Sequence, residues 1–150
     1  MQSATARWTG RKTTFEIESA SGHRATIDEP PVLGDDAGMR PTEMLLGALG
    51  GCTGLNAVLL LKKFRQPFES LAVHIEGVQE EEWPKRFTGI RVEFEIAWTG
   101  DFDEELVSKA LDMACNKYCP VDATLSRGTR VTVARSDRRA PAPPFSNDPP

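Results

Sequence analysis

Residues 44–61 are apolar apart from Thr53 and Asn56, and a run of this kind has to be hidden from water. Lys62, Lys63 and Arg65 follow it, so it resembles a short membrane span with a positive flank. Its length sits at the lower edge of the roughly 17–25 residues a bilayer requires. It also carries glycines and an asparagine, and no second hydrophobic segment accompanies it. A helix buried in a soluble core is the reading that fits. Pro41 suits the first turn, where its missing N–H costs nothing, and Pro67 ends the helix just beyond Arg65. Gly47, Gly50, Gly51 and Gly54 fall at i, i+3, i+4 and i+7, one face of that helix. Glycine costs a helix interior about 1 kcal/mol relative to alanine. A bare face at that cost implies that another helix or strand approaches the backbone closely.

Strands flank the helix. Residues 13–19 alternate through Phe15 and Ile17, SASG makes a turn, and residues 24–28 alternate again through Ala25 and Ile27, which predicts a hairpin. Residues 28–41, rich in Pro, Gly and Asp, predict a long loop. Beyond the helix, Leu71, Val73 and Ile75 alternate, the polar tip QEEEWPKR intervenes, and Ile90, Val92, Phe94, Ile96 and Trp98 alternate without a break. Asp101 with Glu104 resembles a capping box. The helix it opens carries Leu106, Val107, Ala110, Leu111 and Ala114 on one stripe and closes near Tyr118, with Cys119-Pro120 just past its end. A last strand covers residues 129–134. Residues 136–150 hold five of the eleven prolines and one aromatic, which predicts a disordered tail after a single domain over 1–135. The predicted order is ββ-α-ββ-α-β. Hairpins rather than βαβ repeats predict an α+β fold, antiparallel sheet on two packed helices.

Composition narrows the function. The 150 residues suffice for one domain with a real core. A net charge of −4 and a pI near 5.3 provide no bulk attraction for nucleic acid or anionic lipid. The segment MQSATARWTGRKTTF has no apolar stretch after its first charges and does not read as a signal peptide. Three cysteines, an odd number, make no secreted disulfide framework. A reducing cytoplasm is the expected home, where paired cysteines serve metal or redox chemistry.

Alone, Cys52 reads as a small buried hydrophobe. Cys119, at the exit of the second helix, changes that, because crossing helices would bring the two thiols within disulfide reach. Peroxide reduction needs one thiolate to attack the O–O bond and a second thiol to condense with the sulfenic acid. An ordinary cysteine is mostly protonated at pH 7. Cys52 lies eleven residues after Pro41, about 16 Å along the axis, beyond reach of a dipole effect confined to the first turn. A tertiary cation is needed, and Arg11, Arg24 and Arg40 are the candidates. Cys115 and Cys119 form C-x3-C, with only His23 and His74 to complete a metal site, a weak match to structural zinc. No P-loop, G-x-S-x-G or H-E-x-x-H occurs, and no cofactor is implied.

PTEMLLGALGGCTGLNAVLLLKK, followed about sixty-five residues later by YCPVDATLSRG, resembles the OsmC/Ohr family, osmotically inducible protein C and the organic hydroperoxide resistance proteins. The resemblance covers about residues 6–135. It implies an intertwined homodimer with two central helices at its heart, and a thiol peroxidase for organic hydroperoxides, part of an oxidative-stress response. By family role Cys52 is the attacking thiol and Cys119 the resolving one, and a dithiol such as a lipoylated protein is the reductant in part of the family. In the peroxidase branches a glutamate directly follows the helix-opening proline and holds the activating arginine. Here that position is Thr42, and the acid stands one place later at Glu43. Arg11, in WTGRKTT, is the nearest match to the arginine. SGHRATID and GGC are closer to a less characterised OsmC-like subgroup. The alternative to the peroxidase is a non-catalytic OsmC-like dimer that binds a small apolar ligand.

Overall fold

The computed structural model describes residues 2–139. The described residues divide into two compact units, with the boundary between Gly47 and Ala48. One helix, α1 (Pro41–Lys63), begins in the first and continues into the second.

In the first unit, β1 (Ala4–Trp8), β2 (Phe15–Ser19) and β3 (Arg24–Ile27) form an antiparallel sheet in chain order. Phe15 lies between Trp8 and Ile27, and Ile17 between Ala6 and Ala25. The β2–β3 hairpin is the predicted one, whereas β1 is an additional strand. Its residues are all exposed and its alternation, Ala4, Ala6 and Trp8, is short and built mostly of alanine, so pairing is its clearest signature. The loop after β3 is organised by one buried side chain, Asp28. Its carboxylate accepts from Thr13 Oγ1 (2.8 Å), Thr14 Oγ1 (3.1 Å) and the N–H groups of Glu29 (2.9 Å), Asp35 (2.9 Å) and Ala37 (3.2 Å). Burial alone would raise its pKa. The hydrogen bonds outweigh burial and hold the carboxyl well below the usual carboxylate range.

A group depressed in the folded state stabilises above its unfolded pKa, near 4, and that contribution fades as pH falls further. Asp28→Asn is therefore expected to lower Tm at pH 7 by about 5 °C. The deficit should shrink in melts run progressively below pH 4.

The second unit contains the rest of α1, then β4 (Phe68–Gln79), β5 (Phe87–Trp98), α2 (Glu104–Asp112), a π-helical turn (Met113–Lys117), α3 (Pro120–Leu125) and β6 (Arg130–Arg139). β5 is the central strand. It pairs antiparallel with β4, the predicted second hairpin. It pairs parallel with β6, where an antiparallel partner was expected, because the chain crosses over through helices before it returns. Ile90, Val92, Phe94 and Ile96 line the inner face of β5, and Leu49, Ala57, Leu60 and Leu61 of α1 and Val107, Ala110 and Leu111 of α2 are buried with them. By length and composition α1 could cross a membrane, with a mean hydropathy of 1.8. In this fold part of its apolar surface is buried in protein instead.

The glycine face of α1 divides in two. A Cβ on Gly50 would lie 3.0 Å from Ile75 Cγ1, and one on Gly54 3.0 Å from Val73 Cγ2, so this half lets strand β4 approach the helix backbone. At Gly47 and Gly51 a Cβ would meet nothing within 4 Å.

Two predicted boundaries move. The N-cap of α2 is Asp103, whose carboxylate accepts the Leu106 N–H at 3.0 Å, two residues after the expected cap. β6 runs to Arg139, four residues into the segment expected as tail, and residues 140–150 lie outside the described residues. The extension has anchors. Arg135 forks onto Glu104 (2.8 and 2.7 Å) and reaches Asp137 (3.0 Å), while Trp98 Nε1 donates to Asp137 (2.8 Å) and its ring stacks on Phe102.

Candidate active site

The second unit brings three cysteines into one neighbourhood. Cys52 sits half-buried on α1. One turn later Asn56 donates from Nδ2 to the Cys52 carbonyl (3.0 Å) and to the Tyr118 carbonyl (3.2 Å). That amide ties α1 to the residue immediately before Cys119. Cys119 is not simply the residue past a helix. The α2 helix runs into the π-helical turn, whose last bond joins the Tyr118 N–H to the Met113 carbonyl (3.0 Å), and Cys119 is the N-cap of a new helix, α3. Its Sγ accepts the Asp122 N–H at 3.2 Å, and Pro120 occupies the first helical position. Cys115, within the π-helical turn, is buried.

The electrostatics differ along the set. Burial pushes the Cys119 thiol up to about 11, and the neighbouring Cys52 side chain adds to the rise. The N–H groups of Asp122 and Val121 oppose it only in part. Burial likewise pushes Cys115 up to about 12, with the charge of Asp122 next in importance and Cys119 and Cys52 among the further contributors. Cys119 and Cys115 are therefore held as neutral thiols at neutral pH, and the Cys119 thiol lies against Cys52. Asp122 itself is buried, and burial raises its carboxyl above the usual range.

Arg11 and Glu43 lie in the first unit, each with a partner there. Arg11 pairs with Asp35 at 3.3 Å, and Glu43 Oε2 accepts the Arg40 N–H at 2.9 Å, closing the first turn of α1 as a cap. Arg40 pairs with Asp36 (2.6 Å) and Arg24 with Glu18 (3.6 Å). His74 is bonded to Glu95 (2.9 Å) and His23 to Ser21 (3.1 Å). Among the described residues, no group of three or more His, Cys, Asp or Glu side chains is placed to hold a metal ion.

With this geometry in hand, the relatives are informative. Residues 34–134 match the family model described as OsmC-like protein. Protein YhfA of Escherichia coli is 37% identical over 119 residues, 79% of this chain and 86% of YhfA. The chain belongs to the OsmC-like family. Solved structures agree on the OsmC-like fold. A protein of Aquifex aeolicus superposes with a TM-score of 0.80 at 23% identity, over 94% of this chain and 98% of that one. An organic hydroperoxide resistance protein, OsmC, of Legionella pneumophila superposes with a TM-score of 0.67 at 16% identity, over 91% and 96%.

Two residues of this OsmC-like neighbourhood escape sequence reasoning. Asn56 is a lone amide inside the apolar run, and that isolation was its signal. Asp122 lies three residues after Cys119 in C-P-V-D, the spacing of an N-cap and its N3 partner, with cysteine in place of the usual Ser or Thr.

Proposed function

We propose that this OsmC-like protein is a thiol peroxidase that reduces organic hydroperoxides through Cys52 and then Cys119. The observation that carries the reading is the Cys52–Cys119 thiol pair, one member half-buried and the other buried, with Asn56 bonded to the backbone beside each. In the first step the Cys52 thiolate attacks the terminal peroxide oxygen, the O–O bond breaks, the alcohol leaves, and Cys52 becomes a sulfenic acid. In the second, Cys119 sulfur displaces that oxygen as water and a disulfide forms. An external dithiol, such as a lipoylated protein, then restores both thiols. The name of the Legionella relative, organic hydroperoxide resistance protein, points to the same substrate class. Arg11 and Glu43 enter the proposal only through the family resemblance, as the activating cation and its supporting acid.

The protein acts as a homodimer in this reading. Leu55 and Leu59 of α1 are 62% and 59% exposed, and Tyr118, bonded through its carbonyl to α1, is exposed as well. A second copy of the chain would cover an apolar surface of this kind. Thr42, in place of the expected acid, favours the second reading, a dimer that binds a small apolar ligand without turnover.

One experiment separates the two. The reduced protein is mixed with one equivalent of cumene hydroperoxide and digested for mass spectrometry. The peroxidase reading expects loss of two thiols per chain and a Cys52–Cys119 disulfide. Three intact thiols after an hour would leave only the binding reading.

A further inference from the structure

Cys119 is held from two sides. Its Sγ accepts the Asp122 N–H at 3.2 Å, and the peptide before it is tied to α1 by Asn56, whose Nδ2 donates to the Tyr118 carbonyl at 3.2 Å. That carbonyl lies between two helical ladders. The π-helical turn closes on the Tyr118 N–H, bonded to the Met113 carbonyl at 3.0 Å. The α3 helix opens one residue later, where the Cys119 carbonyl accepts the Ala123 N–H at 3.1 Å. A carbonyl stranded at such a junction needs a donor from elsewhere, and Asn56 supplies it. The same Nδ2 also donates to the Cys52 carbonyl at 3.0 Å, one turn back on α1. One nitrogen therefore joins the residue that carries the first thiol to the peptide that immediately precedes the second. Asn56 is half-buried and shares a face of α1 with Cys52, at i and i+4.

We propose that Asn56 is a positioning residue for the thiol pair, fixing the separation at which the Cys52 and Cys119 sulfurs meet. The inference rests on the peroxidase reading above. Resolution is an intramolecular step. Cys119 Sγ forms its bond to Cys52 Sγ, the S–O bond of the sulfenic acid breaks, and the hydroxyl leaves as water with the proton of the Cys119 thiol. Its rate follows the effective concentration of one sulfur at the other, which falls once the two segments can part. A second peroxide competes for the same sulfenic acid and takes it to the sulfinic acid. The bridge therefore favours the disulfide over that loss. Thr53 shows what a shorter side chain does on this helix, since its Oγ1 donates back to the Leu49 carbonyl at 3.0 Å and to the Gly50 carbonyl at 3.2 Å. A hydroxyl at position 56 can keep such a bond to the Cys52 carbonyl, but it is too short to span to Tyr118. The two bonds of Asn56 can thus be separated by substitution.

The test compares the full chain with Asn56→Ser and Asn56→Ala. The first readout needs no peroxide. Each protein is equilibrated with reduced and oxidised glutathione, where every Cys52–Cys119 disulfide formed converts one oxidised glutathione to two reduced ones, and peptide mass spectrometry gives the fraction formed. Both variants are expected to lower the effective concentration of the pair about ten-fold, a shift of about 30 mV for a two-electron couple. The second readout uses one equivalent of cumene hydroperoxide. Dimedone capture of the Cys52 sulfenic acid should stay within about two-fold of the unaltered protein, while disulfide formation slows about ten-fold. An unchanged glutathione equilibrium in both variants would overturn the role of Asn56 and leave the peroxidase standing. Loss in Asn56→Ala but not in Asn56→Ser would assign the effect to the bond within α1 and overturn the bridge. Should Asn56→Ser fail to fold, Asn56→Thr replaces it in the same comparison. A reduced protein that forms no Cys52–Cys119 disulfide with either oxidant would overturn both readings.

Discussion

Cys52→Ser is expected to reduce hydroperoxide consumption by at least about 1,000-fold, to the background of the buffer. The size follows from the state of the thiols that remain. Cys119 is buried and pushed up to about 11, and Cys115 is buried and pushed up to about 12. At pH 7 that leaves on the order of one part in 10,000 or less as thiolate, the form that attacks peroxide. Neither can substitute for Cys52. Cys119→Ser should behave differently, because the first step survives in it. Its Cys52 sulfenic acid should persist long enough to be trapped and then pass to the sulfinic acid under excess peroxide, adding two oxygen atoms to the chain mass. Stopped-flow peroxide consumption and intact mass follow both outcomes. A serine variant at position 52 that consumed cumene hydroperoxide at the original rate would assign the chemistry elsewhere.

What the sequence disclosed followed the strength of its patterns. The α1 helix is written as an apolar run of helical length after a proline, β5 as an unbroken alternation of period 2, and both are where they were read. β1 carries only a short, alanine-weighted alternation on five exposed residues, and a strand whose stability comes from pairing leaves little trace in composition. The parallel direction of β6 depends on how the chain crosses over through α2 and α3, which residue periodicity does not encode. Cys119 was placed at a helix end for the same kind of reason. Its proline reads equally as a stop for the preceding helix and as the first position of the next, and the structure takes the second. Of the site, the two cysteines were legible as a pair. Asn56 and Asp122 were not, because one is defined by a bond sixty-two residues away in sequence and the other by a cap whose acceptor is a cysteine sulfur rather than the usual Ser or Thr oxygen. Glu43 has a local task that the motif does not show. Its carboxylate caps the first turn of α1 by accepting the Arg40 N–H.

Gly54→Leu is expected to lower Tm by about 10 °C, the second large effect, and the glycine face explains it. A Cβ there already stands 3.0 Å from Val73 Cγ2 and 4.0 Å from Leu71 Cδ2, so three further carbons would have to displace the side chains of β4. Overpacking of that kind costs about 1–3 kcal/mol or more, against about 1 kcal/mol of improved helix propensity. Gly51 is the internal control, because a Cβ there meets nothing within 4 Å. Within one chain Gly51→Leu should not destabilise the helix. Gly51, Leu55 and Leu59 nevertheless lie at i, i+4 and i+8, an exposed stripe with its smallest member at one end. If a second copy packs along that stripe, a leucine at 51 holds the two backbones apart. The expected result for Gly51→Leu is thus a retained circular dichroism spectrum with a light-scattering mass shifted from two chains toward one. A dimer of unchanged affinity would place the interface on another surface and leave the open half of the glycine face without a packing role.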